Sequence, residues 1–184
     1  MALTPSSMMA LGTQAPTFEL IEPKTNQVHS LEHLRGDQGT LVMFICNHCP
    51  YVVHILDGLV TLGHDYASSP INIIAISAND PNNYPADAPD KMAKLATQQG
   101  FEFPYLFDES QAIAKAYGAE CTPDFFLFDQ ALKCVYRGQF DDSRPGNDIA
   151  VTGADLRAAM NALIEGNTIG SNQKPSIGCN IKWR

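Results

Sequence analysis

The stretch Thr40-Leu-Val-Met-Phe-Ile-Cys-Asn-His-Cys-Pro50 joins a continuous apolar run to two cysteines spaced as C-x-x-C. The apolar run, residues 40–45, predicts a strand that is buried on both faces. The amphipathic pattern from Pro50 to about Tyr66 predicts a helix directly after the cysteines. Unsatisfied N–H groups at a helix N-terminus favour a thiolate, so this junction predicts a site of thiol–disulfide chemistry.

Size and composition are those of a globular protein. The 184 residues, 45% hydrophobic and 17% charged, predict one domain over residues 1–184, with residues 167–184 as a C-terminal tail. The net charge of −8 comes without a basic stripe, which argues against a nucleic-acid partner. No apolar run is long enough to span a membrane and no signal-peptide pattern is present, so we expect a cytoplasmic protein without a membrane partner.

The remaining elements follow from periodicity and turn residues. Strands are predicted at residues 16–21, 28–31, 71–77, 103–107, 124–128 and 132–137, and helices at residues 90–100, 110–117 and 153–165. The first fifteen residues are predicted to be loosely structured. The core face of the helix after the cysteines is predicted to carry Val53, Leu56, Leu59, Val60 and Leu62. The result is an α/β fold, a mixed central sheet flanked by helices on both faces, with an N-terminal β-hairpin extension.

Four segments of the chain resemble the thioredoxin-like superfamily, and within it the peroxiredoxin-like (AhpC/TSA redoxin) proteins that carry a C-x-x-C. They are residues 44–50 (FICNHCP), 75–80 (AISAND), 118–126 (GAECTPDFF) and 175–183 (PSIGCNIKW). The resemblance implies a thioredoxin-like fold with a cis peptide at Thr122-Pro123, facing the cysteines. It also implies that this proline leaves a backbone edge where an extended substrate can pair.

The chain departs from these relatives in two ways. The peroxiredoxin pattern P-x-x-x-T-x-x-C is absent, because its Thr position holds Cys46 or Met43 and its Pro position holds Val42 or Gly39, depending on the cysteine from which one counts. The strand at residues 40–45 also lacks the buried acid of ordinary thioredoxin. The first departure argues against efficient peroxide reduction by the standard peroxiredoxin site.

Cys46 is predicted to be the nucleophile, since the end of the strand should leave it more exposed than Cys49 and closer to the helix N-terminus. Cys49, one turn further on, would resolve the mixed disulfide. His48, when protonated, would stabilise the Cys46 thiolate and make the pair more oxidising than thioredoxin. Redox titration against glutathione is the measurement that tests this expectation.

The other three cysteines are interpreted by their positions. Cys121, two residues before Pro123, and Cys179, in the tail, are candidates for additional redox residues. Cys179 would serve as a second resolving thiol or would bridge Cys121, and the alternative is that both are buried without a role. Cys134 lies among apolar residues of a predicted hairpin and is interpreted as a core residue. An odd number of cysteines is unlike a secreted disulfide framework.

These residues favour a thiol–disulfide oxidoreductase that needs no cofactor. Its catalytic set would be Cys46, Cys49, His48, Thr122 and Pro123, its substrates protein or low-molecular-weight disulfides, and its reductant of the thioredoxin or glutathione type. The alternative is a thiol-dependent peroxidase that acts on peroxides.

A less favoured third hypothesis is a copper chaperone or redox sensor that binds metal through Cys46, Cys49, His48 and His54. A structural zinc site is not expected, because the chain has no second C-x-x-C. The sequence is compatible with an oligomer but does not specify one.

Overall fold

The computed structural model describes residues 3–184. The strands are β1 (Leu3–Pro5), β2 (Glu19–Glu22), β3 (Gln27–Ser30), β4 (Gly39–Phe44), β5 (Ile71–Ser77), β6 (Tyr105–Phe107), β7 (Cys121–Thr122), β8 (Asp124–Asp129), β9 (Cys134–Gly138) and β10 (Ile177–Asn180). The α-helices are α1 (Leu31–Leu34), α2 (Pro50–Tyr66), α3 (Pro89–Gln99), α4 (Ala112–Tyr117) and α5 (Ala154–Ile164), with a 3₁₀ turn at Pro85–Asp87. None of the helices within residues 3–184 has the length and apolar character needed to cross a bilayer.

Seven of the strands form one mixed sheet in the order β3-β2-β6-β5-β4-β8-β9. The central pairs β4/β5 and β5/β6 are parallel, and β8 and β9 add to the other side of β4 as an antiparallel hairpin. The hairpin β2/β3 extends the opposite edge. Because Phe44 pairs with Ile76, β4 and β5 end at the same edge of the sheet, and the cysteines follow at that edge.

The core lies on both faces of the sheet, as the alternation along β4 requires. Leu41 and Met43 pack into one cluster with buried residues of α2, α3 and α5. Val42 and Phe44 pack into a second cluster with residues of α1 and α4. The expected α/β architecture, with helices on both faces and an N-terminal hairpin, is therefore confirmed.

The buried face of α2 differs from the prediction. Val52, Ile55, Leu59, Leu62 and Tyr66 are buried, whereas Val53, predicted to be in the core, is 54% exposed. The inward face thus begins one residue earlier than the sequence pattern suggested. The physical reason is that Cys49 points inward at the start of the helix, and positions three or four residues apart continue its face.

A second, three-stranded sheet was not expected from the sequence. Its order is β1-β10-β7, and both of its pairings are antiparallel. The prediction of a loosely structured N-terminus is wrong for β1, and the tail contains β10. These strands have two to four residues, which is too short for a detectable periodicity. Their pairing partners are also distant in the sequence.

Candidate active site

Cys46 and Cys49 lie between β4 and α2. Cys49 is the N-cap residue of α2, because Pro50 occupies the first turn, where its missing N–H costs no hydrogen bond. The two cysteines are 1% and 0% exposed. Both are buried, so exposure does not separate them in this conformation. The expectation that Cys46 is the closer of the two to the helix N-terminus is wrong, since Cys49 holds the cap position.

Thr122 and Pro123 face the pair from the junction of β7 and β8. The Thr122-Pro123 peptide is cis, as the resemblance implied. The Thr122 hydroxyl lies 3.4 Å from Cys46 Sγ, and Cys49 Sγ donates to the Thr122 carbonyl at 3.2 Å. One residue therefore contacts both sulfurs, and it fixes their position relative to the sheet.

The two thiols have unequal affinities for their protons. The hydrogen bond to Cys49 raises the pKa of Cys46, and burial and the charge of Asp87 raise it further. The hydrogen bond from Cys46 lowers the pKa of Cys49 in spite of burial, with added support from Cys179 and the Val52 amide. Within the pair the Cys46 thiol therefore holds its proton more tightly than the Cys49 thiol does, and the assignment of the attacking thiolate to Cys46 stays a prediction.

A buried carboxylate, Asp87, organises the loop between the cysteines. Its Oδ1 accepts the backbone N–H of Asn47 at 2.8 Å and that of His48 at 3.2 Å. Its Oδ2 lies 2.5 Å from His48 Nδ1 and accepts from Asn79 Nδ2 at 2.7 Å. The imidazole is therefore bound to a carboxylate and not to a sulfur, and a role of His48 in stabilising the Cys46 thiolate stays a prediction.

Sequence reasoning missed Asp87, because it looked for a buried acid only in the strand before the cysteines. The residue comes instead from the 3₁₀ turn Pro85–Asp87, in the loop after β5. A usable signal existed: β4 and β5 are adjacent parallel strands, and the loops that follow such strands meet at one edge of a sheet. Polar residues in the loop after β5 were therefore candidates for the site.

Two aromatic side chains hold the loop between the cysteines from outside and inside. The ring of Tyr84 stacks on His48, with centroids 5.3 Å apart, and the ammonium group of Lys182 lies 5.6 Å from the Tyr84 ring. The buried Tyr105 donates its hydroxyl to Asn47 Oδ1 at 3.0 Å. These contacts leave His48 half-buried, with a side-chain exposure of 22%.

The strand edge beside the cis-proline is occupied. Within the described residues, β7 pairs with β10 of the tail, in a register that sets Cys179 opposite Thr122 and Asn180 opposite Cys121. The implied free edge for an extended substrate is therefore wrong for this conformation. The pairing brings the tail cysteine to the redox pair, where Cys179 hydrogen-bonds to Cys49.

Cys121 and Cys134 stand apart from this contact. Cys121 Sγ is directed to the Pro123 carbonyl at 3.6 Å, and burial together with Asp124 raises its pKa. Neighbouring residues of a strand point to opposite faces, so Cys121 and Cys179 lie on opposite faces of the small sheet. Cys134 packs in the second core cluster, on the other side of the main sheet, in line with its interpretation as a core residue.

The structure brings together a different set of potential metal ligands from the set expected from the sequence. Potential ligand atoms of Cys46, His48 and Asp87 lie within 4.8 Å of one another. His54, which the sequence offered as a ligand, instead hydrogen-bonds through Nε2 to the Ser143 hydroxyl at 2.7 Å. A thiolate, an imidazole and a carboxylate suit zinc or copper, but the imidazole and carboxylate are here bound to each other.

Comparison with known proteins places the chain in a family. The sequence profile of the AhpC/TSA family matches residues 11–137, which include both cysteines and the cis-proline. The chain belongs to the AhpC/TSA family. A curated family relative, the thiol-disulfide oxidoreductase ResA of Halalkalibacterium halodurans, is 24% identical over 124 residues. That match covers 67% of this chain and 65% of ResA, so the chain spans less than two thirds of this relative.

Solved structures agree with this AhpC/TSA assignment at the level of the fold. An uncharacterized conserved protein from Geobacillus kaustophilus is 52% identical with a TM-score of 0.98, and the match covers 100% of this chain and 97% of that one. A thiol:disulfide interchange protein of the thioredoxin family from Chlorobium tepidum has a TM-score of 0.62 at 18% identity, covering 84% and 99%. The expected thioredoxin-like fold is confirmed.

Proposed function

We propose that this AhpC/TSA protein is a thiol–disulfide oxidoreductase that cycles between the Cys46/Cys49 dithiol and disulfide. The observation that carries the proposal is the placement of both sulfurs at a helix N-terminus, where each contacts Thr122. The interaction between the two thiols shifts their pKa values in opposite directions. Two thiols in contact, one of them favoured as a thiolate, are the requirement for rapid disulfide formation.

The reaction begins at Cys46, because Cys49 is enclosed by Cys46, Thr122 and Cys179. As Cys46 Sγ attacks one sulfur of a substrate disulfide, its proton passes along the existing hydrogen bond to Cys49. The substrate S–S bond breaks, a mixed disulfide forms, and the first substrate thiolate leaves. Cys49 then attacks Cys46 Sγ, and the mixed disulfide breaks. The second substrate sulfur leaves as a thiol with the proton from Cys49, and the Cys46–Cys49 disulfide remains.

The surrounding residues have supporting roles in this proposal. Thr122 and Pro123 hold the sulfurs against the sheet, and His48 supplies a positive charge when protonated. A thioredoxin- or glutathione-type reductant restores the dithiol by the reverse exchange. We infer a cytoplasmic, single-domain protein, because an odd number of cysteines, five, is unlike a secreted disulfide framework. Cell fractionation with an antibody checks this placement, and recovery from an oxidising compartment would contradict it.

The second candidate function is a thiol-dependent peroxidase, favoured by the AhpC/TSA profile match. In this reaction the Cys46 thiolate attacks a peroxide oxygen, the O–O bond breaks, and a sulfenic acid and water or an alcohol are formed. Cys49 then displaces water to give the same disulfide. The missing Thr of the peroxiredoxin pattern argues against this candidate, because the position of that Thr holds Cys46 or Met43.

Parallel assays with two substrates distinguish these functions. Reduction of insulin disulfides and stopped-flow consumption of hydrogen peroxide are measured for wild type, Cys46→Ser and Cys49→Ser, with Cys134→Ser as a control remote from the pair. We expect disulfide reduction to fall by about 100-fold or more in both site variants and to be unchanged in the control. Fast peroxide consumption that depends on one cysteine, without disulfide reduction, would contradict the oxidoreductase proposal and favour the peroxidase.

A further inference from the structure

The tail strand β10 lies directly on the cis-proline loop, and a glycine makes this approach possible. A Cβ atom on Gly178 would lie 2.0 Å from the Thr122 carbonyl oxygen and 2.7 Å from its carbonyl carbon. Both are backbone atoms, so they cannot move aside as a flexible side chain would. The residue next to Gly178 in the strand is Cys179, and the close approach therefore fixes the position of that thiol at the active site.

The strand is anchored at both of its ends. Before it, the Ser176 hydroxyl donates to the Pro123 carbonyl at 2.5 Å. After it, the Ile181 amide donates to the Glu120 carbonyl at 3.0 Å, and the Lys182 amide donates to Asn79 Oδ1 at 2.8 Å. Cys179, 4% exposed, is thus held in place by bonds to the loops that also build the site.

Cys49 is the sulfur between the other two. It hydrogen-bonds to the Cys46 side chain on one side and to the Cys179 side chain on the other, and the Cys179 backbone also donates to it. The Cys49 thiol thus lies between the other two and is hydrogen-bonded to both. A disulfide at Cys49 can therefore change partner without a large movement of the chain.

Resting on the proposed function, we propose that Cys179 is the third thiol of a disulfide relay, in which it takes Cys49 as partner and releases Cys46. In the step, the Cys179 thiolate attacks Cys49 Sγ of the Cys46–Cys49 disulfide. The Cys49–Cys179 bond forms, the Cys46–Cys49 bond breaks, and Cys46 leaves with the electron pair and takes up the proton lost by Cys179. The step is an isomerisation with no net oxidation, and an external dithiol reduces its product.

The electrostatics of Cys179 change in the direction that the step requires. In the reduced protein, burial raises the pKa of Cys179, and its hydrogen bond to Cys49 and the negative charge of Cys49 raise it further. Oxidation of Cys49 to a disulfide removes that negative charge and that acceptor, while the positive charge of Lys182, which lowers the pKa, remains. Cys179 is therefore held protonated in the dithiol state and becomes easier to ionise once the disulfide has formed.

Disulfide mapping tests the relay, because trypsin leaves Cys46 and Cys49 on the peptide of residues 36–91 and Cys179 on a separate peptide of residues 158–182. Wild type, Cys46→Ala, Cys179→Ser and Cys134→Ala are oxidised with glutathione disulfide, quenched in acid, alkylated and digested. We expect a cross-link between the two peptides in wild type, Cys134→Ala and, at higher yield, Cys46→Ala. It should be absent from Cys179→Ser.

The outcomes separate failure of the relay from failure of the proposed function. If wild type forms only the disulfide within residues 36–91, and Cys46→Ala forms only a mixed disulfide with glutathione, the relay is overturned and the oxidoreductase proposal stands. If wild type forms neither disulfide and does not reduce insulin, both proposals are overturned.

Gly178→Ala tests the same relay through the position of the strand, with Gly170→Ala as its control. A Cβ on Gly170 meets no atom within 4 Å, so that change leaves the strand in place. A displacement of about 1 Å at reacting atoms can lower a rate by up to about 100-fold, and we expect cross-link formation to fall at least about tenfold in Gly178→Ala only. Equal rates in the two folded variants would overturn the inference that strand position controls the relay, and with it the relay itself.

Discussion

At the scale of the residue, Asp87 links the imidazole to the redox pair. Its carboxylate accepts two backbone N–H groups and the Asn79 amide, and it faces His48 Nδ1. The hydrogen bond to Cys49 and burial raise the pKa of Cys46, and the charge of Asp87 adds to them. The same carboxylate thus orders the loop and opposes the Cys46 thiolate.

Replacing this carboxylate by a neutral amide should make the Cys46 thiol easier to ionise. In Asp87→Asn we expect the thiolate absorbance of the reduced cysteine pair, followed against pH at 240 nm, to titrate at lower pH than in wild type, because the repelling charge is gone. Stability should fall by about 1–3 kcal/mol, since the new NH₂ group faces the Asn79 donor and leaves buried groups unpaired. Chemical denaturation measures this loss.

Asp90→Asn is the matched control for that experiment, since Asp90 is fully exposed and paired with Lys91 at 2.8 Å. It should change neither the titration nor the stability by a measurable amount. A titration that moves to higher pH in Asp87→Asn would contradict the expectation. It would mean that His48, which Asp87 holds in place, controls the thiolate, as the sequence suggested.

Asp124, the residue after the cis-proline, is a second buried carboxyl. Neither of its oxygens has a hydrogen bond of ordinary geometry, and burial raises its pKa to about 7. The unfolded value is about 3.9, so the folded protein binds a proton that the unfolded chain has lost between these two pH values. Stability from this group is therefore fully present below about pH 4, falls as the pH rises to about 7, and stays low above it.

Asp124→Asn, which mimics the neutral carboxyl, should remove this pH dependence. We expect the melting temperature of the variant relative to wild type to rise steadily between about pH 5 and about pH 8. Any fixed cost of burying the amide is the same at both pH values and cancels from the change. Asp90→Asn serves again as the exposed control, and a difference that is constant with pH would refute the raised pKa.

At the scale of the element, the β2/β3 hairpin is the most weakly attached part of the main sheet. β2 joins β6 through the single pair Ile21 and Phe107, and β3 is an edge strand on which Val28 is 66% exposed. The opposite edge strand, β9, pairs with β8 over most of its length and buries Cys134 and Tyr136. Elements with few buried contacts open locally at low free energy.

Native-state hydrogen exchange should therefore distinguish the two edges. We expect the amides of β3 to open with a free energy at least about 2 kcal/mol below those of β9, with β4 and β5 the most protected. The comparison with β9 controls for the exposure that any edge strand has. Equal protection of β3 and β9 would show that the hairpin is held more firmly than its pairing with β6 implies.

The elements also differ in how far sequence could predict them. β4, β5 and α2 were predicted to within one residue, because long apolar runs and a 3.6-residue period are strong local signals. β1, β7 and β10 were missed, because strands of two to four residues have no usable period and exist only through their mutual pairing. Their absence from the prediction hid the strand that now covers the cysteines.

At the scale of the whole molecule, the amino-acid sequence by itself determined the fold class and the place of the chemistry. An apolar strand, a C-x-x-C and an amphipathic helix in succession specify which atoms lie at a helix N-terminus, and that is a local property of the chain. The tertiary structure alone decided which thiol holds its proton more tightly and which groups surround the pair. Asp87 and Cys179 reach the pair from residues 38 and 130 positions beyond Cys49. Burial and electrostatic interactions depend on distance in space, and separation along the chain does not specify it.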